Sequence, residues 1–180
     1  MFHLLSIILL AISLSMDAFS LSLVIGTLNY SRLTIIKIGL TVGVFHFIMP
    51  LLGDKIGESL LKLLPIKSYT LAGMIFMILA IQMLISTIKE SESKEIKPLS
   101  SYISILLFAL TVSIDSFSIG ISFSVVASHH LLASTVFMIL STVFTISGLV
   151  LGKKIKKQFG KYATITGSII LFILAIKYII

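Results

Sequence analysis

Hydrophobic positions along this chain do not alternate with polar ones. They run together in long blocks separated by short polar links. Six blocks can be read, at residues 3–25, 34–52, 69–88, 102–126, 131–151 and 162–179. Each is close to the roughly 20 residues that carry a helix across a hydrocarbon core. The links predict where the helices stop. They are 26–33 with Asn29 and Arg32, a polar stretch holding Asp54, Lys55, Glu58, Lys62, Pro65 and Lys67, the segment 89–101, a tight turn at His129-His130, and a cluster of Lys153, Lys154, Lys156 and Lys157. The predicted fold class is therefore an all-α membrane protein with six transmembrane helices.

Composition removes the soluble alternatives. The 180 residues are 57% hydrophobic and only 12% charged, with a mean hydropathy of +1.16, whereas ordinary globular domains carry about 25% charged residues. A net charge of +7 would fit a nucleic-acid partner, but the basic residues lie in the links, which is the positive-inside pattern of a membrane protein. The expected surroundings are a lipid bilayer, with no nucleic acid. With no cysteine, disulfides and thiolate metal sites are excluded. Met1-Phe2-His3 lacks the basic start of a cleavable signal, so the first block is expected to remain as a helix.

Charge also predicts orientation. The links after the first, third and fifth blocks carry ten basic residues: Arg32, Lys37, Lys89, Lys94, Lys97, Lys153, Lys154, Lys156, Lys157 and Lys161. The other side has four, Lys55, Lys62, Lys67 and Lys177. The richer side is expected in the cytoplasm of a multi-pass plasma-membrane protein, with both termini outside.

An internal repeat divides the chain. Ser15-Met16-Asp17-Ala18-Phe19-Ser20 returns 98 residues later as Ser113-Ile114-Asp115-Ser116-Phe117-Ser118. Two weaker echoes follow in order, Leu52-Gly53-Asp54-Lys55-Ile56 with Leu151-Gly152-Lys153-Lys154-Ile155, and Leu79-Ala80-Ile81 with Leu174-Ala175-Ile176. The predicted organisation is a first three-helix repeat at 1–88, a charged cytoplasmic loop at 89–101 and a second three-helix repeat at 102–180. Three helices per half is an odd number, so the second half enters from the opposite side. Inverted-repeat transporters are built this way, with sites near the midplane.

The repeat brings up the candidate chemistry. Asp17 and Asp115 are the only acids inside the apolar blocks; Asp54, Glu58, Glu90, Glu92 and Glu95 fall in predicted loops. Each intramembrane carboxylate costs about 2.5–3.5 kcal/mol on insertion scales, so something must offset it. Ser13 and Ser20 share a helical face with Asp17, and Thr111 and Ser118 stand in the same places around Asp115, with Ser122 a turn further on. Carboxylates flanked by hydroxyls suit hard divalent cations. The competing reading is that each aspartate only hydrogen-bonds across a helix interface. His46 shares a face with Met49, one turn before Pro50, and a proline there frees a carbonyl where the helix lines a cavity. His46 reads equally as a ligand, a proton acceptor or a satisfied buried histidine. Lys177 is expected to snorkel to the interface, and His129-His130 to form a loop able to bind metal only weakly.

Ser15-Met16-Asp17-Ala18-Phe19, Ser113-Ile114-Asp115-Ser116-Phe117 and the run from Gly43 to Gly53 containing His46, Met49 and Pro50 resemble the manganese efflux pump family of MntP type, over essentially the whole chain. A group of sporulation membrane proteins (YtaF-like) is the nearest alternative. The resemblance implies Mn2+ export, with Asp17 and Asp115 as essential carboxylates; Ser22 and Gly120, each five residues after its aspartate, fit the same pattern. Ser20 and Ser118 depart from it, standing where the family often has alanine.

The expected activity is secondary export of a divalent cation, Mn2+ first, through a midplane site of two aspartates, with proton antiport as its natural coupling. The predicted metal-binding set is Asp17, Asp115, His46, Ser20, Ser118, Ser13, Thr111, Ser22 and Met49. Rival readings are an exporter of a small organic solute such as an amino acid, and a non-transporting membrane scaffold. No Walker motif or nucleophile–base pair occurs, so neither ATP-driven pumping nor an enzyme is expected. No resident cofactor is expected, Mn2+ being cargo, and a homo-oligomer is left open.

Overall fold

The computed structural model describes residues 2–28, 30–63, 68–89, 98–123, 130–152, 154 and 158–179. These form six helices: α1 (Phe2–Gly26), α2 (Arg32–Leu63), α3 (Ser68–Lys89), α4 (Tyr102–Ile121), α5 (His130–Gly152) and α6 (Gln158–Ile179). The charged loop residues 90–97, His129 and most of the lysine cluster after α5 lie outside the described residues. α4 starts on a capping box, in which the Ser101 hydroxyl accepts from the Ser104 N–H at 3.1 Å and Ser104 returns the contact to the Ser101 N–H.

One boundary departs from expectation with consequences for chemistry. The polar stretch after the second block is not a loop; α2 runs on through Pro50 to Leu63. Residues 51–63 are mostly Leu, Ile, Lys and Glu, good helix formers, and packing against α4 offsets the hydrogen bond lost at the proline. Asp54 and Glu58 are therefore helical, and Asp54 is buried. α4 ends at Ile121, with Ser122 as its C-cap.

The surface identifies the solvent. Along α2, Leu33, Ile36, Leu40, Val44, Ile48, Leu52 and Ile56 all face outward, while Gly39, Gly43, His46, Gly53, Asp54 and Gly57 face inward. α4 repeats the arrangement, with Ile103, Leu107 and Ile114 outside and Ser113, Ser116 and Gly120 inside. Apolar outside and small or polar inside is the pattern of helices packed in lipid. Four stretches, Leu5–Gly26, Arg32–Ser59, Tyr102–Ile121 and His130–Gly152, are long and apolar enough to cross a bilayer; the described apolar parts of α3 and α6 are shorter. The protein is a multi-pass membrane protein.

The helices pair between halves of the chain rather than within them. α1 packs on α5 and α6, α2 on α4 and α5, and α3 on α6, while sequence neighbours make few contacts among the described residues. Close approach depends on glycine. A Cβ on Gly53 or Gly57 would strike the backbone of Phe117 or Ile121, and one on Gly120 would strike that of Pro50. On the other side Gly148 and Gly152 take the backbone of Phe19 and Leu23 in the same manner. Polar contacts show which helix ends lie together. The Leu99 N–H donates to the Tyr30 hydroxyl at 2.7 Å, and Lys177 Nζ donates to Ser6 Oγ at 3.2 Å, so Lys177 has a partner on α1. The starts of α2 and α4 thus lie together, and the end of α6 lies at the start of α1.

Candidate cation site

His46 is held across the α2–α4 interface. Its side chain is fully buried on α2, and its Nδ1 lies 3.0 Å from the Val42 carbonyl and 2.9 Å from Ser113 Oγ on α4. A carbonyl can only accept, so the proton of a neutral ring belongs on Nδ1, shared between Val42 and Ser113. That leaves Nε2 as a bare lone pair, and Nε2 is buried with no partner among the described residues. A neutral imidazole nitrogen so fixed is a competent metal ligand.

Ser113 stands two residues before Asp115 on α4, and two residues after it Phe117 meets Gly53 of α2. The segment carrying Asp115 is thus clamped to α2 on both sides. Asp17 on α1 precedes the stretch, Phe19 to Leu23, that rests on Gly148 and Gly152 of α5. Both aspartates are half-buried, and their helices touch only at a narrow crossing.

The flanking hydroxyls separate into two groups. Ser13 donates to the Gly167 carbonyl on α6 at 2.6 Å, and Thr111 is exposed and donates to Leu107 at 2.8 Å, so both are committed to backbone. Ser22 is fully buried and its hydroxyl has no partner among the described residues; Ser20 is buried, while Ser118 and Met49 are half-buried. The structure brings His46, Ser113 and the Asp115 segment together, and it leaves Ser13 and Thr111 bonded elsewhere.

Sequence reasoning missed Thr145. It is fully buried on α5, one turn before Gly148, and its hydroxyl is unpartnered among the described residues. Thr41, Thr111, Thr135 and Thr166 each donate to the carbonyl four residues back, at 2.8, 2.8, 2.7 and 2.9 Å. Thr145 forgoes that bond, although a buried unpaired polar group costs about 1–3 kcal/mol. The signal was present, because Thr145 follows His46 by 99 residues, the same separation as Gly53 and Gly152. Buried lone pairs on His46, Thr145 and Ser22, on helices that carry or pack against those of Asp17 and Asp115, suit a cation that accepts oxygen and imidazole ligands.

The chain is similar to proteins named as manganese efflux pumps. A family model described as "Putative manganese efflux pump" matches residues 29–179. A protein of that description from Bacillus velezensis is 37% identical over 178 residues, covering 99% of this chain and 95% of its own. One from Bacillus pumilus is 36% identical over 175 residues, covering 97% and 94%. A third, from Halalkalibacterium halodurans, is 35% identical over 178 residues, covering 99% and 97%. These relatives are named as pumps and not as enzymes. No solved structure matches.

Proposed function

Because the chain belongs to the manganese efflux pump family, we propose that it exports a divalent metal cation, Mn2+ first, from the cytoplasm across the plasma membrane. All six helices span the bilayer as two inverted three-helix halves, with the basic links inside and both termini outside. Asp17 and Asp115, one from each half, meet the ion near the midplane and neutralise its two charges. His46 Nε2 and the hydroxyls of Ser22 and Thr145, unpartnered among the described residues, complete the shell. Metal binding requires deprotonated ligands, so protons arriving from outside would compete the ion off, which makes the protein a proton-coupled antiporter.

The observation that carries this reading is the fully buried His46 ring, whose Nδ1 is pinned by Val42 and Ser113 while Nε2 stays unpaired among the described residues. The interleaved packing supports the inverted arrangement, since α1 on α5 and α2 on α4 are equivalent pairings under exchange of the halves. The test is Mn2+ content and resistance in cells lacking the protein, complemented by wild type, Asp17→Asn or Asp115→Asn. Each variant keeps size while losing charge, and each should accumulate in the membrane yet fail to restore resistance. Full resistance from either one would remove the two-aspartate site.

A further inference from the structure

Three buried oxygens at the other end of α2 remain outside this account. Asp54 is 8% exposed, Ser122 1% and Ser134 0%, and Asp54 Oδ1, Ser122 Oγ and Ser134 Oγ have no hydrogen-bond partner among the described residues. They belong to one end of the bundle. Asp54 Oδ2 accepts from Nδ1 of His130, the first residue of α5. Ser134 lies one turn along α5 from His130, on the same face. The Phe123 ring stands edge-on to His130 at 5.9 Å, Ser122 precedes it, and Ile121 abuts Gly57, one turn beyond Asp54 on α2. Some helical serines use their hydroxyls, as Ser15 does to Ala11 at 2.6 Å and Ser168 to Ile165 at 2.8 Å. Ser122 and Ser134 leave theirs without a partner among the described residues, at the same end of the bundle as a carboxylate whose Oδ1 is likewise unpaired there.

We infer that Asp54, with Ser134 and Ser122, forms a second divalent-cation site at this end of the bundle, held in place by His130. The ligands are hard oxygens, one anionic and two neutral, with the balance of the shell supplied by water. His130 acts from behind: its Nδ1–H fixes Oδ2 and turns Oδ1 toward the ion, the outer-shell role that carboxylate–histidine pairs play at metal sites. This assignment rests on the export reading, in which the site lies at the outer mouth and is the ion's last stop before release. Asp54 is a ligand here, and His130 is a positioning residue.

The experiment is a Mn2+ titration of the purified full-length protein in detergent, with bound ion counted from the loss of the free-ion electron paramagnetic resonance signal. Wild type should hold two ions per chain and Asp54→Asn one; asparagine keeps the side-chain shape and can still accept from His130. His130→Ala should keep both sites but weaken one by roughly 10–100-fold. The Asp17→Asn/Asp115→Asn double variant should retain the Asp54 ion alone. If wild type and Asp54→Asn bind the same number of ions with the same affinities, the second site does not exist. A double variant that still holds two ions would instead overturn the midplane site and leave this one standing. Should Asp54→Asn fail to elute as a folded species, Ser134→Ala, a small change inside a helix, must show the weakened second ion; unchanged affinity there refutes the assignment equally.

Discussion

Replacing Gly120 with alanine tests whether the α2–α4 contact sets the geometry of the cation site. The added methyl would meet the Pro50 carbonyl oxygen most closely, with Pro50 Cα and C next at 2.6 and 2.7 Å, against at least 3.4 Å for ordinary contact. Backbone cannot rotate away, so the helices must part by at least the difference for these two carbons, about 0.7–0.8 Å, and by more to clear the oxygen. Ser113 Oγ lies 2.9 Å from His46 Nδ1 across the same interface; the same opening would take it to at least about 3.7 Å, beyond hydrogen-bond range. Overpacking of this kind costs roughly 1–3 kcal/mol, and for a chain of this length each kcal/mol lowers the melting temperature by about 2–4 °C. Gly120→Ala should therefore melt several degrees below wild type in a detergent thermal-unfolding assay and export Mn2+ more slowly in vesicles. Ile114→Ala, on the outward face of α4 at 52% exposure, should do neither. If Gly120→Ala melts within a degree of wild type and exports at its rate, α2 and α4 are not in the contact described, and the clamp on Asp115 fails with it.

Thr145→Val keeps shape and removes a hydroxyl that has no partner among the described residues, so it should hold or raise the melting temperature while weakening Mn2+ affinity; a loss of stability without loss of affinity would make the hydroxyl structural. His46→Gln should weaken Mn2+ affinity and spare the pH dependence of export if the ring is a ligand, whereas a flattened pH profile with intact affinity would make it the proton carrier; vesicle transport with Mn2+ titrated at several external pH values separates the two. Cysteines introduced at Ser59 and Ser100, both exposed in a chain that has no cysteine, should label from outside and inside respectively, and an impermeant reagent reaching both from outside would refute the topology.

Much of the fold was legible because lipid imposes length on helices and hydrophobicity on their surfaces. The blocks 3–25, 69–88 and 131–151 match α1, α3 and α5 to within a residue or two at each end. Asp17 and Asp115 stood out because charge inside an apolar run is expensive wherever the run ends up. Asp54 was misplaced because a polar stretch after a proline looks like a loop when read locally. Its helix is stabilised by Gly53 and Gly57 resting on α4, a partner about sixty residues away. Local pattern likewise could not show that Ser13 is tied to Gly167 on α6, nor that Ser113 holds His46.

By itself, then, the sequence determined the number of long apolar helices and the two carboxylates inside them, Asp17 and Asp115, since each follows from transfer energies along one chain segment. Only the tertiary structure decided that the halves interleave, with α1 on α5 and α2 on α4 instead of on their sequence neighbours. It also decided which buried polar atoms go unpaired. Both depend on shape: small residues let backbones approach where their surfaces match, and a hydroxyl or imidazole is satisfied or left free according to what the opposing helix presents at that level.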